Sequence, residues 1–270
     1  MTRDPIPVRA ESTLECRNCG AGAPVDEHFC PNCNRILALG RFGDYFSFFG
    51  LPRRLGVDQR DLEQRFRDLS RKFHPDYFYN APPAERIASL ERSSYLNDAY
   101  RALKSPIARI EHLLAIEGLP SPRTEHPSGA STTSGQGQKV PPALLEEVFA
   151  LNEELDEIRE LRESGGAPER LRARLEAARI PIERKRDEHE RELQQLSARW
   201  DAQTASGAAA SDRRATLDAL RERLMERSYI NNLLATIERE VSGLSSLVSG
   251  PEHSPKTKDQ RPKTFRRCGP

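Results

Sequence analysis

Residues 58–76 read DQRDLEQRFRDLSRKFHPD. Placed at 100° intervals, Leu62, Phe66, Leu69 and Phe73 fall within about 40° of one line, which predicts a helix with one core-facing stripe. Asp58 stands where an N-cap belongs. Arg60, Arg67 and Arg71 gather near the opposite side, with Arg65 and Lys72 flanking the stripe and Asp61, Glu63 and Asp68 interspersed. Such a ridge is either an ordinary solvated face or a surface that attracts an acidic protein partner. His74-Pro75-Asp76 ends the helix, because Pro75 has no N–H to donate and pushes His74 away from helical geometry.

A second helix is expected after Pro83, where Leu96, Ala99, Tyr100 and Leu103 recur at i, i+3, i+4 and i+7 and supply a face to pack on the first. Pro106 lies beyond its end. The two segments describe an antiparallel helical hairpin whose connecting loop presents His74-Pro75-Asp76 beside the basic ridge. A catalytic or metal-binding His-Asp pair is the rival reading, but no third group completes such a site.

Upstream, Cys16-x2-Cys19 and Cys30-x2-Cys33 form two knuckles, with Gly20 and Pro31-Asn32 suited to their tight turns. In a reducing compartment, paired C-x-x-C units bind metal more often than they form disulfides. Four thiolates close a tetrahedral shell and leave no position for substrate or water, so the expected metal is a structural zinc. A redox dithiol or iron–sulfur ligation is the alternative. His28 lies between the knuckles, and the shell is complete without it. Cys268 has no visible partner.

The 270 residues allow two or three domains, and 42 Lys+Arg balance 41 Asp+Glu, so no global field favours nucleic acid or an anionic membrane. No apolar run is long enough to span a bilayer, and residues 1–5 lack the character of a signal peptide, which predicts a cytoplasmic protein. The texture changes four times. Residues 1–40 are the four-cysteine module and 43–118 the helical hairpin region. Residues 119–142, rich in Pro, Ser, Gly and Thr, read as a flexible linker. Residues 143–247 carry Leu, Glu, Arg and Ala at helical spacing, and 248–270 form a basic tail expected to be disordered. The fold class expected is all-α, with a small zinc-ribbon-like module in front and a three-helix bundle behind.

In the rear segment Leu144, Val148, Leu151, Leu155 and Ile158 form one narrow stripe, the expected core face. Leu145 and Phe149 lie off that stripe, among Glu153, Asp156 and Glu157, and are either covered by a third helix or exposed for a partner. Helices follow from about Pro168 to Trp200, with a kink or break expected at Pro181, and from about Asp212 to Leu244. Ile230, Leu233, Leu234, Ile237, Val241 and Leu244 stripe the last of them, with Tyr229 beside the stripe. Trp200 reads as a core residue.

The order Asp44-Tyr45-Phe46, basic helix, His74-Pro75-Asp76, then Leu96-Asn97-Asp98-Ala99-Tyr100 resembles a J-domain. That resemblance implies docking on a DnaK-class chaperone ATPase through His74, Pro75, Asp76, Arg67, Arg71 and Lys72, with ATP hydrolysis carried out by the partner and not by this chain. Behind it, residues 144–157 (LLEEVFALNEELDE) resemble the HscB family of iron–sulfur cluster co-chaperones, some of which also carry paired N-terminal C-x-x-C knuckles. The resemblance implies a bundle that binds an IscU-like scaffold protein and delivers it to an HscA-class chaperone. Leu145, Phe149, Glu153 and Glu157 match the family's scaffold contacts, and Tyr229 matches an aromatic position on the last helix. Glu146 and Ala150 depart from the pattern, standing where an apolar and an acidic contact are expected, and the linker is longer than usual.

Two other readings remain open: a J-domain protein serving a different client, and a zinc-dependent nucleic-acid-binding regulator. The second needs a basic groove or recognition helix, for which the tail is the sole candidate.

Overall fold

The computed structural model describes residues 13–24, 27–39, 44–119 and 142–248. The expected linker, save its end residues, the basic tail beyond Val248 and Cys268 lie outside the described residues. Among the described residues the regular elements are helices and one two-stranded antiparallel ribbon, β1 (Thr13–Glu15) paired with β2 (Gly22–Pro24), with an isolated bridge between Phe29 and Ile36. The described residues divide into two compact units: those up to Leu119 together with Lys185–Ile230, and Pro142–Arg184 together with the stretch from Asn231.

In the first unit Asp44 starts α1 (Tyr45–Phe48) by accepting the N–H groups of Phe46 and Ser47. Asp58 caps α2 (Gln59–Phe73) through the N–H of Arg60 at 2.8 Å, as expected of that residue. A single 3-10 turn (Pro75–Phe78) leads to α3 (Pro83–Lys104), and α4 (Pro106–Ile116) follows behind Ser105, whose hydroxyl caps it. Leu62 and Phe73 of α2 meet Ala88, Leu96, Ala99 and Leu103 of α3 and Phe46 and Phe48 of α1 in one buried cluster. The antiparallel hairpin is therefore held by the stripes legible in the sequence.

The long helices α6 (Pro168–Ser206) and α7 (Ala210–Val248) each contribute to both units. Within the first, Leu193, Trp200, Leu217, Leu220 and Leu224 pack with Leu55 and with Ile110, Leu113 and Leu114 of α4. Trp200 is buried, as expected, and its core includes the loop joining α1 to α2: its indole N–H donates to the carbonyl of Arg53 at 3.3 Å. Arg109 of α4 donates to the carbonyls of Leu103, at 2.7 Å, and of Leu55. The loop's polar backbone is thus satisfied from two sides by side chains.

The second unit contains α5 (Leu145–Glu163), entered through a 3-10 turn at Pro142–Leu144, with the ends of α6 and α7. Leu144, Val148, Leu151, Leu155 and Ile158 are all buried. The helix does not break at Pro181: α6 continues through it as one element. Proline removes one backbone donor and crowds the turn before it, and the next residue, Ile182, is buried. Ala150, Ala177, Ala178 and Pro181 line a groove between α5 and α6. No helix among the described residues is long and apolar enough to cross a membrane.

Candidate functional site: an exposed turn, its basic helix and a thiolate cluster

Three sets of candidate residues were singled out in the sequence, and the first unit holds two of them. At the tip of the hairpin, His74 closes α2 with φ −57° and ψ 126°, the extended geometry that Pro75 imposes. Its Nδ1 accepts the N–H of Asp76 at 3.3 Å, while the Asp76 side chain is 87% exposed. Phe78 anchors the turn by packing on the hairpin core. Tyr77 and Tyr79 on either side are about three-quarters exposed, a pair of aromatic surfaces that the sequence pattern did not single out.

The ridge beside the turn is open to solvent. Arg67 pairs with Glu63 and Arg71 with Asp68, both along the same helix at well-exposed positions. Surface pairs of this spacing contribute under about 1 kcal/mol, so either arginine can exchange its partner at little cost. Arg65 differs from them: besides Asp61, its Nη1 reaches the carbonyls of Phe49 and Gly50, at 3.1 and 3.3 Å. That arginine ties α2 to the end of α1 and is a structural residue.

The cysteine module is built as two matching turns. The N–H of Cys16 takes the carbonyl of Ala21, and that of Cys30 the carbonyl of Arg35. In each turn the residue after the second cysteine has positive φ: Gly20 at 71° and Asn34 at 54°. Glycine meets that requirement without a Cβ penalty, and asparagine is among the few other residues that tolerate it. The four Sγ atoms lie within 4.8 Å of one another, and the cross-knuckle pairs Cys16–Cys33 and Cys19–Cys30 are each 3.6 Å apart. Tetrahedral ligation at a metal–sulfur distance of about 2.3 Å requires sulfurs about 3.8 Å apart, so the set fits one ion. A backbone hydrogen bond from Arg35 lowers the Cys33 thiol to about 6, and one from Ala21 lowers that of Cys19. Amide donors of this kind favour the thiolate, the form that binds metal, whereas, against a backbone hydrogen bond from Cys33, burial and the neighbouring Cys19 and Cys16 thiols push that of Cys30 up to about 11.

The module rests on the hairpin through Arg92 of α3, which is fully buried. Its Nε donates to the carbonyl of Leu37 at 2.8 Å, its Nη1 to Nδ1 of His28 at 2.7 Å, and its Nη2 to the carbonyls of Glu27 and Ala38 at 3.3 Å. Because His28 accepts at Nδ1, its Nε2 carries the proton that it donates to the carbonyl of Phe48 at 3.0 Å. Burial pushes the Arg92 guanidinium down to about 10. Neither residue was a candidate in the sequence. A clue was available, since Arg92 falls on the same α3 stripe as Ala88, Leu96, Ala99 and Leu103, an arginine where an apolar residue is expected.

The third set lies on α5. Phe149 is 69% exposed and Leu145 is 39% exposed, so the choice left open by the helical wheel falls to exposure. Glu153 is exposed beside them. Glu157 is half-exposed and shares Arg174 of α6 with Glu154. Tyr229 is half-buried on the part of α7 that belongs to the first unit, whereas the other four lie in the second.

The described residues thus comprise a helical hairpin with an exposed turn at His74 and Asp76, a four-cysteine module and long helices. No protein-family model matches the chain. Among solved structures the chain is similar to the human co-chaperone protein HscB, at 24% sequence identity and a TM-score of 0.54, over 84% of this chain and 98% of that one. The chaperone HscB from Vibrio cholerae is also similar, at 24% identity and a TM-score of 0.44, over 74% of this chain and 99% of that one. The likeness to the human protein is one of fold.

Proposed function

We propose that this protein is a J-domain co-chaperone that stimulates the ATPase of a DnaK- or HscA-class chaperone and delivers an IscU-like iron–sulfur scaffold to it. The observation that carries the reading is the turn: His74 and Asp76, with half-buried Pro75 between them, are held by a packed hairpin yet open to solvent, beside Arg67, Arg71 and Lys72. A fixed, exposed carboxylate flanked by exchangeable cations suits recognition of another protein far better than chemistry on a small molecule, which needs an enclosed pocket. ATP hydrolysis belongs to the chaperone, and no catalytic residue is assigned to this chain.

Scaffold binding is assigned to Leu145, Phe149, Glu153 and Glu157, with Tyr229 as an additional aromatic contact. An exposed phenylalanine and leucine among carboxylates have the make-up of a small hot spot with an acidic rim. Holding scaffold and chaperone on one chain raises their effective concentration, so each affinity can be modest. The metal of the four-cysteine cluster is assigned as structural zinc, since four thiolates leave no open coordination position.

The test is a pull-down on the tagged full chain from a mixture of purified chaperone and scaffold with ATP. Recovery of both supports the proposal. Recovery of the chaperone alone removes the scaffold assignment, and recovery of neither removes the co-chaperone reading.

A further inference from the structure

We propose that the four-cysteine module clamps the base of the His74-Pro75-Asp76 turn, so that metal occupancy at the cysteines sets how firmly the turn is held. The turn's importance rests on the function proposed above, but the clamp is a property of the chain alone.

Phe73, the residue before the turn, is gripped from two sides. Its ring meets those of His28, edge-on at 4.9 Å between centroids, and Phe29 at 6.1 Å, both from the module. Its carbonyl, one of the C-terminal acceptors that a helix leaves unpaired, receives the hydroxyls of Ser89 at 2.6 Å and Ser93 at 2.9 Å, both from α3. Arg92 stands between those two serines in sequence, directs its three nitrogens to the module, and places its guanidinium carbon 5.8 Å from the centre of the Phe73 ring. Arg35 of the module also pairs with Glu85 near the start of α3, at 2.9 Å.

The module is poorly equipped to keep this shape unaided. Its buried cluster is Cys16, Ala23, Cys30 and Leu37, with Ala21 and Cys33 at its edge, so half of those six residues are the metal ligands themselves. Its other apolar residues, Phe29, Ile36 and Leu39, pack on the hairpin core instead, and a segment with so small a core of its own depends on the ion for its folding energy. When the metal leaves, the module carbonyls and the His28 nitrogen no longer stand where Arg92 can use them. A buried guanidinium that loses such acceptors must move to water or find others. Either movement disturbs Ser89, Ser93 and the Phe73 ring, the three supports of the turn.

The experiment is hydrogen exchange followed by mass spectrometry on the full chain in three forms: loaded with zinc ions, stripped by a chelator, and Arg92→Lys with its zinc content measured. A lysine keeps the charge but cannot fork to the acceptors that Arg92 reaches. The clamp predicts exchange at residues 73–79 faster by about tenfold or more in the stripped chain and in metal-retaining Arg92→Lys, with residues 145–163 unchanged. Unchanged exchange at the turn in both forms overturns it. So does acceleration spread evenly over residues 59–116, which makes the module a general requirement for folding and not a clamp. Chaperone ATPase stimulation is measured in parallel on the zinc-loaded wild type: if that chain gives none while the turn still loosens selectively, the docking function fails and the clamp stands.

Discussion

Asp201 of α6 accepts the backbone N–H of Leu55 at 2.7 Å, joining residues 146 positions apart in the chain. Its second oxygen takes the N–H of Gly56, also at 2.7 Å, and a Cβ built on Gly56 would lie 2.9 Å from that oxygen. The carboxylate is committed to two donors and cannot swing away freely. Gly56→Ala is therefore expected to destabilise the first unit by about 1–2 kcal/mol, and Asp201→Ala by about 1–3 kcal/mol through two unpaired amides. In the double variant the Gly56→Ala penalty should largely vanish, a coupling that a double-mutant cycle measures by urea unfolding. Trp200, the one tryptophan, lies in the same core and reports the transition by fluorescence.

Docking and folding should separate at the turn. Asp76 is almost fully exposed and supports no packing, so Asp76→Ala is expected to leave stability within about 0.5 kcal/mol of wild type. The same substitution should weaken chaperone binding by calorimetry about tenfold or more, as loss of an interface hot spot does. A large loss of stability with binding retained would make Asp76 a structural residue.

On α5 the expected pattern is the same. Phe149→Ala removes an exposed ring, and titration against the scaffold should show a loss of about 1–3 kcal/mol in binding with unfolding unchanged. An unaltered dissociation constant removes Phe149 from the interface.

Asp44 supplies a pH dependence. Burial opposes its ionisation, but the Arg53 guanidinium, whose Nε lies 2.7 Å away, and the N–H of Phe46 at 2.9 Å outweigh that and hold it at about 2. A carboxylate whose pKa is lower in the folded state stabilises above its unfolded pKa, near 3.9, and loses that contribution as pH falls through the folded value. At pH 7 Asp44→Asn should therefore be less stable by about 2 kcal/mol, and the gap should close between about pH 4 and 2. A gap that does not change with pH would assign the residue's role to capping geometry alone.

The parts of this molecule that were legible in the sequence are those with a short-range signature. Asp58, the Leu62–Phe73 stripe and Pro75 specify a helix and its end within nineteen residues, and the paired C-x-x-C spacing specifies the thiolate cluster. The stripe from Leu144 to Ile158 is buried as its periodicity demands. Arg92, His28 and Asp201 were not legible, because their roles are long-range: each satisfies polar groups that come close only after the helices pack. At Pro181 local preference allows a kink or a break, and the helix runs through the proline without a break. Exposure at Leu145 and Phe149 was undecidable on a helical wheel, which records angle and not what stands opposite.

The most direct test of the central claim is the steady-state ATPase rate of an HscA-class chaperone, measured with this protein, with the scaffold, and with both. The expected result is stimulation by the protein that rises beyond the sum of the separate effects when the scaffold is added, and that disappears with Asp76→Ala. An ATPase rate left at its basal level by the zinc-loaded wild-type chain, with and without scaffold, would contradict the account.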